Sequence, residues 1–351
     1  MREVGVRNQH NFTQGEDMSA YRLDVIDEYT HKPTAEPNFN ESVYVNGWDS
    51  RHRMGLWSRL GNRVNEGHAE LSVCIYLPDG RVACQFQRPK ITANDKHDAG
   101  GLTYRVNEPF KSVSMKYAGE AMLLDDPQIL KTPREMFKTA PRLPCEFELL
   151  ATELSPMNGG EPTEPGAETM YGRDFSLGHF NQHIRTVGHI AVGDLSWDID
   201  GHGWRDHSWG PRYWTNIHYY RLFIANFGDD RGLMMLKRID RQGNTHRRGV
   251  LMVGGRYEPI IDMDVFTEWD DRKEPLSVQL GIRTADRKVR INGNILTVAP
   301  LRNHREVDGE TLECRIVEAF TEWTWDDGRP GLGITEYIEF LEDGEPVGYP
   351  L

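Results

Sequence analysis

Apolar and aromatic residues occur along this chain in short runs separated by polar turn clusters. Within the runs, apolar and polar positions often alternate, which is typical of strands with one buried face. Many short strands at regular spacing predict an all-β protein built as sandwiches or closed barrels. The clearest runs are 70–86, 186–201, 219–244, 276–300 and 335–346.

Turn and helix signals support this prediction. Helical periodicity is nearly absent, and the best candidate is a short helix within 127–139, with Pro133 in its first turn. Glycine beside Asn or Asp is typical of hairpin turns. Four such pairs predict turns: Asp79-Gly80, Gly243-Asn244, Gly293-Asn294 and Asp343-Gly344.

The segment 155–172 contains three prolines and four glycines and divides the chain almost in half. We therefore predict an N-terminal β domain over 1–172, with 155–172 as a linker or surface loop, and a C-terminal β domain over 173–351. An insertion within the first domain is the alternative for this segment. A tryptophan-rich stretch follows near the predicted junction, and pockets often form at domain junctions.

The composition of the chain limits which partners the protein can bind and where in the cell it is expected. A net charge of −13 argues against nucleic acid and anionic membranes, which reward a basic surface. With 38% hydrophobic and 27% charged residues, the chain is expected to be a soluble globular protein. No apolar run is long enough for a membrane span, and no secretory signal is visible, so we expect a cytoplasmic protein. The oligomeric state is left open between a monomer and a homodimer.

The four cysteines show no metal-binding pattern. Cys74 and Cys84 flank the turn at Asp79-Gly80, and a three-residue loop there would place them opposite each other on a hairpin. In a cytoplasmic protein we expect reduced, buried thiols.

The segment 197–214, WDIDGHGWRDHSWGPRYW, is the densest in chemically capable side chains. It contains four of the nine tryptophans, two histidines, three aspartates, two arginines and a serine. Aromatic rings beside a carboxyl, an imidazole and a guanidinium suit a pocket that binds an apolar molecule and performs acid or cation chemistry on it.

If this segment is a strand, alternate side chains share a face. An aspartate enclosed by indoles is desolvated, which favours its protonated form and makes Asp206 a proton donor near neutral pH. The alternative is that Asp206 pairs with Arg205 or Arg212 and that the tryptophans are core.

Gly210-Pro211 is a candidate bulge in this strand. The even face carries His202, Trp204, Asp206, Ser208, Arg212 and Trp214, and the odd face carries Arg205, His207, Trp209 and Tyr213.

Other chemistries have weaker signals. The histidines His179, His183 and His189 lack a carboxylate at metal-binding spacing, so we predict no metal site. No phosphate loop or nucleophile elbow is present, and we predict no cofactor. Carboxylates beside aromatic residues leave a glycosidase-like pair open. These are Glu41, Glu268, Glu322 and Glu336.

The motif GHGWRDHSWGPR (201–212) resembles the signature of the carotenoid 1,2-hydratase (hydroxyneurosporene synthase) and AttH-like superfamily, and is most similar to bacterial homologues that carry RDHSWG. The resemblance implies two lipocalin-like β domains around an apolar cavity. It also implies a lyase, either a hydratase of isoprenoid double bonds or a cyclase.

The same resemblance assigns roles to residues. Asp206 would protonate an alkene, with His179 as the upstream histidine and Trp204 and Trp209 facing the cation. His207 would orient Asp206 or hold the attacking water, or point away, as its strand parity indicates. Ser208 stands where the hydratases usually have an acid. The remaining predicted substrate-binding residues are His183, Arg212, Tyr213 and Trp214.

Three functions therefore compete. The leading hypothesis is a cofactor-independent hydratase, dehydratase or cyclase acting on an apolar, isoprenoid-like small molecule. The second is a non-catalytic carrier, since lipocalin-like barrels bind apolar ligands and a fold does not imply chemistry. The third is carbohydrate processing by a carboxylate pair.

Overall fold

The computed structural model describes residues 20–172, 175–212, 217–307 and 309–351. Two antiparallel sheets account for most of this part of the chain, which confirms the predicted all-β fold. No helix in these ranges is long and apolar enough to cross a membrane.

The first sheet contains twelve strands of the described residues. Eight of them close a ring in the order β11-β12-β2-β3-β4-β5-β8-β9 and back to β11, so they form an antiparallel barrel. The strands are β1 (Tyr21–Arg22), β2 (Phe39–Asp49), β3 (Met54–Arg63), β4 (His68–Tyr76), β5 (Val82–Gln87), β6 (His97–Ala99), β7 (Leu102–Glu108), β8 (Ser112–Leu124), β9 (Arg142–Glu153), β10 (Asn158–Pro162), β11 (Gly178–Val192) and β12 (Leu195–Pro211).

The second sheet contains ten strands of the described residues in the order β16-β15-β14-β13-β21-β20-β19-β18-β17, with β22 added on β21. The strands are β13 (Ile217–Asn226), β14 (Arg231–Asp240), β15 (Thr245–Val253), β16 (Arg256–Pro259), β17 (Asp262–Trp269), β18 (Pro275–Arg283), β19 (Lys288–Val307), β20 (Glu310–Trp325), β21 (Pro330–Glu342) and β22 (Glu345–Pro346).

Strand alternation divides the apolar residues into three cores. Residues such as Val43 and Val73 fill the first barrel, and residues such as Phe223 and Trp323 form a core on one face of the second sheet. The third core lies between the two sheets, where the ring of Trp48 stacks on that of Phe320 at 4.8 Å. The outer face of the first barrel therefore packs against the outer face of the second sheet.

The change of sheet falls later than the predicted domain boundary. Strands β11 and β12, including the whole RDHSWG motif, belong to the first barrel, so the chain enters the second sheet between Pro211 and Ile217. The predicted C-terminal domain instead began at residue 173 and included the motif. Part of the predicted linker forms β10, which pairs with β11, and Gly159, Gly160 and Pro162 lie within this strand.

Three of the four predicted hairpin turns are present. The turns at Asp79-Gly80, Gly243-Asn244 and Asp343-Gly344 are present, and Cys74 pairs in register with Cys84 as a free thiol. The prediction of a turn at Gly293-Asn294 is wrong, because both residues lie inside β19. A Cβ at Gly293 would lie 2.6 Å from the Trp323 ring, so this glycine serves close packing.

The predicted short helix is also present. It comprises a 3-10 turn (Pro127–Lys131) followed by α1 (Pro133–Thr139), which begins at Pro133. Two further 3-10 turns occur in the described residues, at Val25–Glu28 and Val64–Glu66. Helix α1 covers one side of the gap between the two sheets, where Met136 and Phe137 line a cavity.

Candidate functional site

A cavity of about 650 Å³ lies between the outer face of the first barrel and the second sheet. Of its 33 lining residues, 16 are aromatic or aliphatic and ten carry a charge. The apolar lining comprises Tyr44, Trp57, Leu71, Phe86, Leu130, Pro133, Met136, Phe137, Tyr171, Phe175, Tyr220, Leu222, Ile224, Leu301, Ile316 and Ile338. A wall that mixes apolar surface with charged groups is suited to a small molecule that has an apolar body and a polar group.

Asp206 points into this cavity from the middle of β12. On the neighbouring strands it lies opposite Asn181 of β11 and Tyr44 of β2. The predicted parity holds: Asp206 and Ser208 line the cavity, whereas His207 does not. Pairing with β2 continues in register to Pro211, so Gly210, at φ +119°, causes no change of face, and Arg212 also lines the cavity.

The surroundings of Asp206 favour its protonated form. Burial raises the pKa of this carboxyl to about 7, against the opposing charge of Arg212. The side chain keeps 20% of its surface exposed, on the side of the cavity. An acid of this pKa is well matched to proton transfer near neutral pH.

His179 lies beside the acid. Its Nε2 atom is 3.8 Å from Oδ2 of Asp206, beyond hydrogen-bond distance. Its ring packs on Tyr171 with 4.0 Å between centroids, and neither ring nitrogen has a hydrogen-bond partner among the described residues. Burial, reinforced by Arg212, holds the pKa of His179 well below its usual value, so the imidazole is neutral. An unpartnered buried imidazole at a cavity wall is available to a ligand or a water molecule.

Arg212 closes one wall of the site. Its guanidinium donates to Oγ of Ser208 at 2.7 Å and to the carbonyl oxygen of Phe175 at 3.2 Å. It also lies over the Phe175 ring, 4.2 Å from the centroid. Burial lowers its pKa to about 9. These contacts fix the cation beside the cavity.

The second sheet contributes an acidic pair that the sequence analysis did not assemble. Glu318 of β20 and Glu336 of β21 lie directly opposite each other and line the same cavity, and the Tyr220 hydroxyl donates to Glu336. Burial raises the pKa of Glu336 to about 7, and burial with the neighbouring charge raises that of Glu318 well above its usual value. The available signal was strand parity, since both glutamates occupy apolar faces, between Ile316 and Phe320 and between Ile334 and Ile338.

Four predicted site residues do not line the cavity. His207 and Trp209 are on the odd face of β12, inside the first barrel. Trp204 is on the even face but is buried in the core against the ring of His183, and a ring nitrogen of His183 pairs with the Tyr257 hydroxyl at 3.0 Å. The cation-facing roles predicted for the two tryptophans therefore have no geometric support. Tyr213 and Trp214 lie outside the described residues.

Inside the barrel, the odd face of the motif makes polar contacts. Arg205 forms a buried ion pair with Glu28, at 2.7 Å between Nη1 and Oε1. His207 pairs with Glu41 at 3.0 Å between Nε2 and Oε1, and the indole of Trp209 donates to Glu161 at 2.9 Å. The side chains of the motif therefore point into two different spaces, the cavity between the sheets on the even face of β12 and the interior of the first barrel on the odd face.

The chain therefore has a two-unit, lipocalin-like all-β fold. The cavity between its units holds the carboxyl groups of Asp206, Glu318 and Glu336. The chain belongs to the family described as "Domain of unknown function (DUF7064)", whose model matches residues 24–340. No curated protein matches the sequence.

Solved structures of the same fold include a Nitrosomonas europaea protein described as an AttH, with TM-score 0.59 and 13% identity over 96% of this chain and 98% of that one. CghA bound to Sch210972 has TM-score 0.55 and 10% identity over 93% and 97%. Kievitone hydratase from Nectria haematococca has TM-score 0.55 and 10% identity over 94% and 96%. At these identities the likeness establishes the fold.

Proposed function

We propose that this protein is a cofactor-independent hydratase, dehydratase or cyclase that protonates an alkene of an apolar, isoprenoid-like substrate. The observation that carries the proposal is the position of Asp206, a carboxyl group with its pKa at about 7 in the wall of a cavity that 16 apolar side chains also line. Such a group is half protonated at neutral pH and faces the volume that a substrate would occupy.

In the first step, the Asp206 carboxyl gives its proton to one alkene carbon and becomes a carboxylate, while the other carbon becomes a cation. Aromatic rings of the wall stabilise the cation, by about 0.5–2 kcal/mol each. The buried ring of Tyr171 and the partly buried ring of Tyr44 line the cavity that holds Asp206. The neutral imidazole of His179 adds no repelling charge and can accept a hydrogen bond from water.

In the second step of a hydration, a water oxygen bonds to the cation and releases a proton. The Glu318–Glu336 pair is placed to take it, because two buried carboxyls that lie opposite each other readily share one proton. Return of that proton to Asp206 restores the starting state. Loss of water follows the same steps in reverse. Capture of the cation by a second alkene would form a ring and a new cation, which becomes neutral by losing a proton to the same glutamate pair.

The rim of the cavity favours a substrate with one polar end. Arg59, Arg63 and Arg88 line it together with Glu70, which pairs with Arg59 at 3.1 Å. A hydroxyl or carbonyl of the substrate can bind there while the apolar body occupies the wall beside Asp206. The name of the structurally similar kievitone hydratase denotes water addition, which supports the same class of reaction for this fold.

The test is incubation of the purified protein with acyclic isoprenoids and polyenes in isotopically labelled water, followed by mass spectrometry. A product heavier by one labelled water supports a hydratase, and a product of unchanged mass but altered retention supports a cyclase. Recovery of bound but chemically unaltered ligands would contradict catalysis and favour a carrier.

A further inference from the structure

A second group of titratable side chains lies inside the first barrel, on the opposite face of β12 from Asp206. It comprises His31, Glu41 and His207, each of which offers one ligand atom, and these atoms lie within 4.8 Å of one another. Glu41 and His207 are fully buried, and the His31 side chain keeps 20% of its surface exposed. The group is thus enclosed by protein and reachable from one side.

The atoms converge on a single point. Nδ1 of His31 is 2.7 Å and Nε2 of His207 is 3.0 Å from the same oxygen, Oε1 of Glu41. Ligands around a tetrahedral Zn²⁺ with bonds of about 2.0–2.1 Å are separated by roughly 3.4 Å. An outward shift of less than about 1 Å by each side chain therefore makes room for an ion.

Surrounding groups hold these ligands in orientation. Nε2 of His31 lies 3.2 Å from Oδ1 of the buried Asp27, the arrangement in which a carboxylate orients a metal-bound histidine. The backbone N–H of His31 donates to both Glu41 oxygens, at 3.0 and 2.9 Å, and the Asn94 amide donates to Oε2. The His31 ring stacks on Trp209 with 4.0 Å between centroids.

The kinds of atom that converge here suit a divalent cation. The two ring nitrogens of His31 each face a carboxylate oxygen, so one can bind an ion while the other contacts Asp27. Two imidazole nitrogens and one carboxylate oxygen are a donor set typical of Zn²⁺, with a fourth position left for water.

We propose that His31, Glu41 and His207 bind a divalent ion of the Zn²⁺ type and that Asp27 positions His31. The ion joins the segment before β2, which carries Asp27 and His31, to the barrel strands β2 and β12, which carry Glu41 and His207. The site therefore fastens this segment to the barrel, and it does not depend on the function proposed for Asp206.

The test is titration of the metal-depleted full-length protein with Zn²⁺ and with Co²⁺. We expect one equivalent to bind with a rise in melting temperature, and Co²⁺ to give visible bands of nitrogen and oxygen ligation without thiolate charge-transfer bands. Asp27→Asn should weaken binding by about 10–100-fold, and His31→Gln by at least as much. The matched control is His202→Gln, because the His202–Asp229 pair is a surface histidine–carboxylate contact at 2.7 Å.

Wild-type affinity in the control together with weakened binding in Asp27→Asn supports the site, even if His31→Gln fails to fold. Absence of saturable binding, equal affinity in wild type and Asp27→Asn, or thiolate bands from Co²⁺ would overturn it.

Discussion

Asp206 and His207 are consecutive in the chain, yet their side chains lie in different compartments. The carboxyl of Asp206 faces the cavity between the sheets, and the imidazole of His207 lies inside the first barrel against Glu41. Because β12 separates the two spaces, substitutions at neighbouring positions should have different consequences: altered chemistry on the even face and altered stability or metal binding on the odd face.

Asp206→Asn should lower the turnover number by roughly 10²–10⁴-fold while leaving the fold intact. Asparagine has the shape of the protonated carboxyl but cannot give up a proton to an alkene. The measurement is product formation together with thermal melting. Asp200→Asn, on the same strand in an exposed pair with Arg185, is the matched control. Full activity in Asp206→Asn would remove the acid role, and a large fall in melting temperature would indicate a structural pair with Arg212.

The rate of hydration should fall as pH rises above about 7, because Asp206 acts in its protonated form and its pKa is about 7. It should also fall at lower pH, where Glu336, with its pKa at about 7, is protonated and no longer accepts a proton. The measurement is kcat/KM as a function of pH, which reports the pKa values of the free enzyme. A rate that continues to rise above pH 7 would contradict the acid role of Asp206.

The free energy of unfolding should also fall with rising pH because of Asp206. Its pKa is raised from 3.8 to about 7 in the folded protein, so the unfolded chain loses its proton first as pH rises. The raised pKa therefore adds to the free energy of unfolding below pH 4, by at most about 4 kcal/mol. This contribution is lost as the pH rises to 7. Urea unfolding of wild type and Asp206→Asn at pH 4, 5, 6 and 7 should show the variant gaining relative stability as pH rises. A constant difference would contradict the raised pKa.

Glu336→Gln should lower the pKa of Glu318, because the neighbouring carboxylate no longer opposes its ionisation. Carbon-13 NMR titration of labelled glutamate carboxyls measures this directly. The same substitution should reduce turnover by removing the proton acceptor, whereas Glu322→Gln, an exposed position on the same strand as Glu318, should leave both quantities unchanged. An unchanged titration of Glu318 in Glu336→Gln would show that the two carboxyls are independent.

Arg205→Gln should destabilise the protein by about 3–5 kcal/mol, since it leaves the buried Glu28 carboxylate without its cation. Arg185→Gln breaks an exposed ion pair of the same type and should cost less than about 1 kcal/mol. The free energy of unfolding from denaturant titration separates the two. Equal effects would mean that Glu28 finds another partner.

Several features followed from local sequence alone. Period-two alternation established the strands and the faces of β12, because side chains point to opposite sides of a strand whatever surrounds it. Pro133 marked a helix start, and Asp79-Gly80 a turn, because their backbone preferences are intrinsic. Asp206 was singled out from its aromatic neighbours, although the rings that line its cavity come from other strands.

What the tertiary structure decided is which strands meet. Gly293 looks like a turn residue, but packing against Trp323 places it within a strand. The RDHSWG strand joins the first barrel because β2 and β11 pair with its two edges. Glu318 and Glu336 come together through the register of β20 and β21, and His31 meets His207 because β2, which follows His31, pairs with β12. Such contacts depend on long-range pairing, which alternation along one segment does not specify.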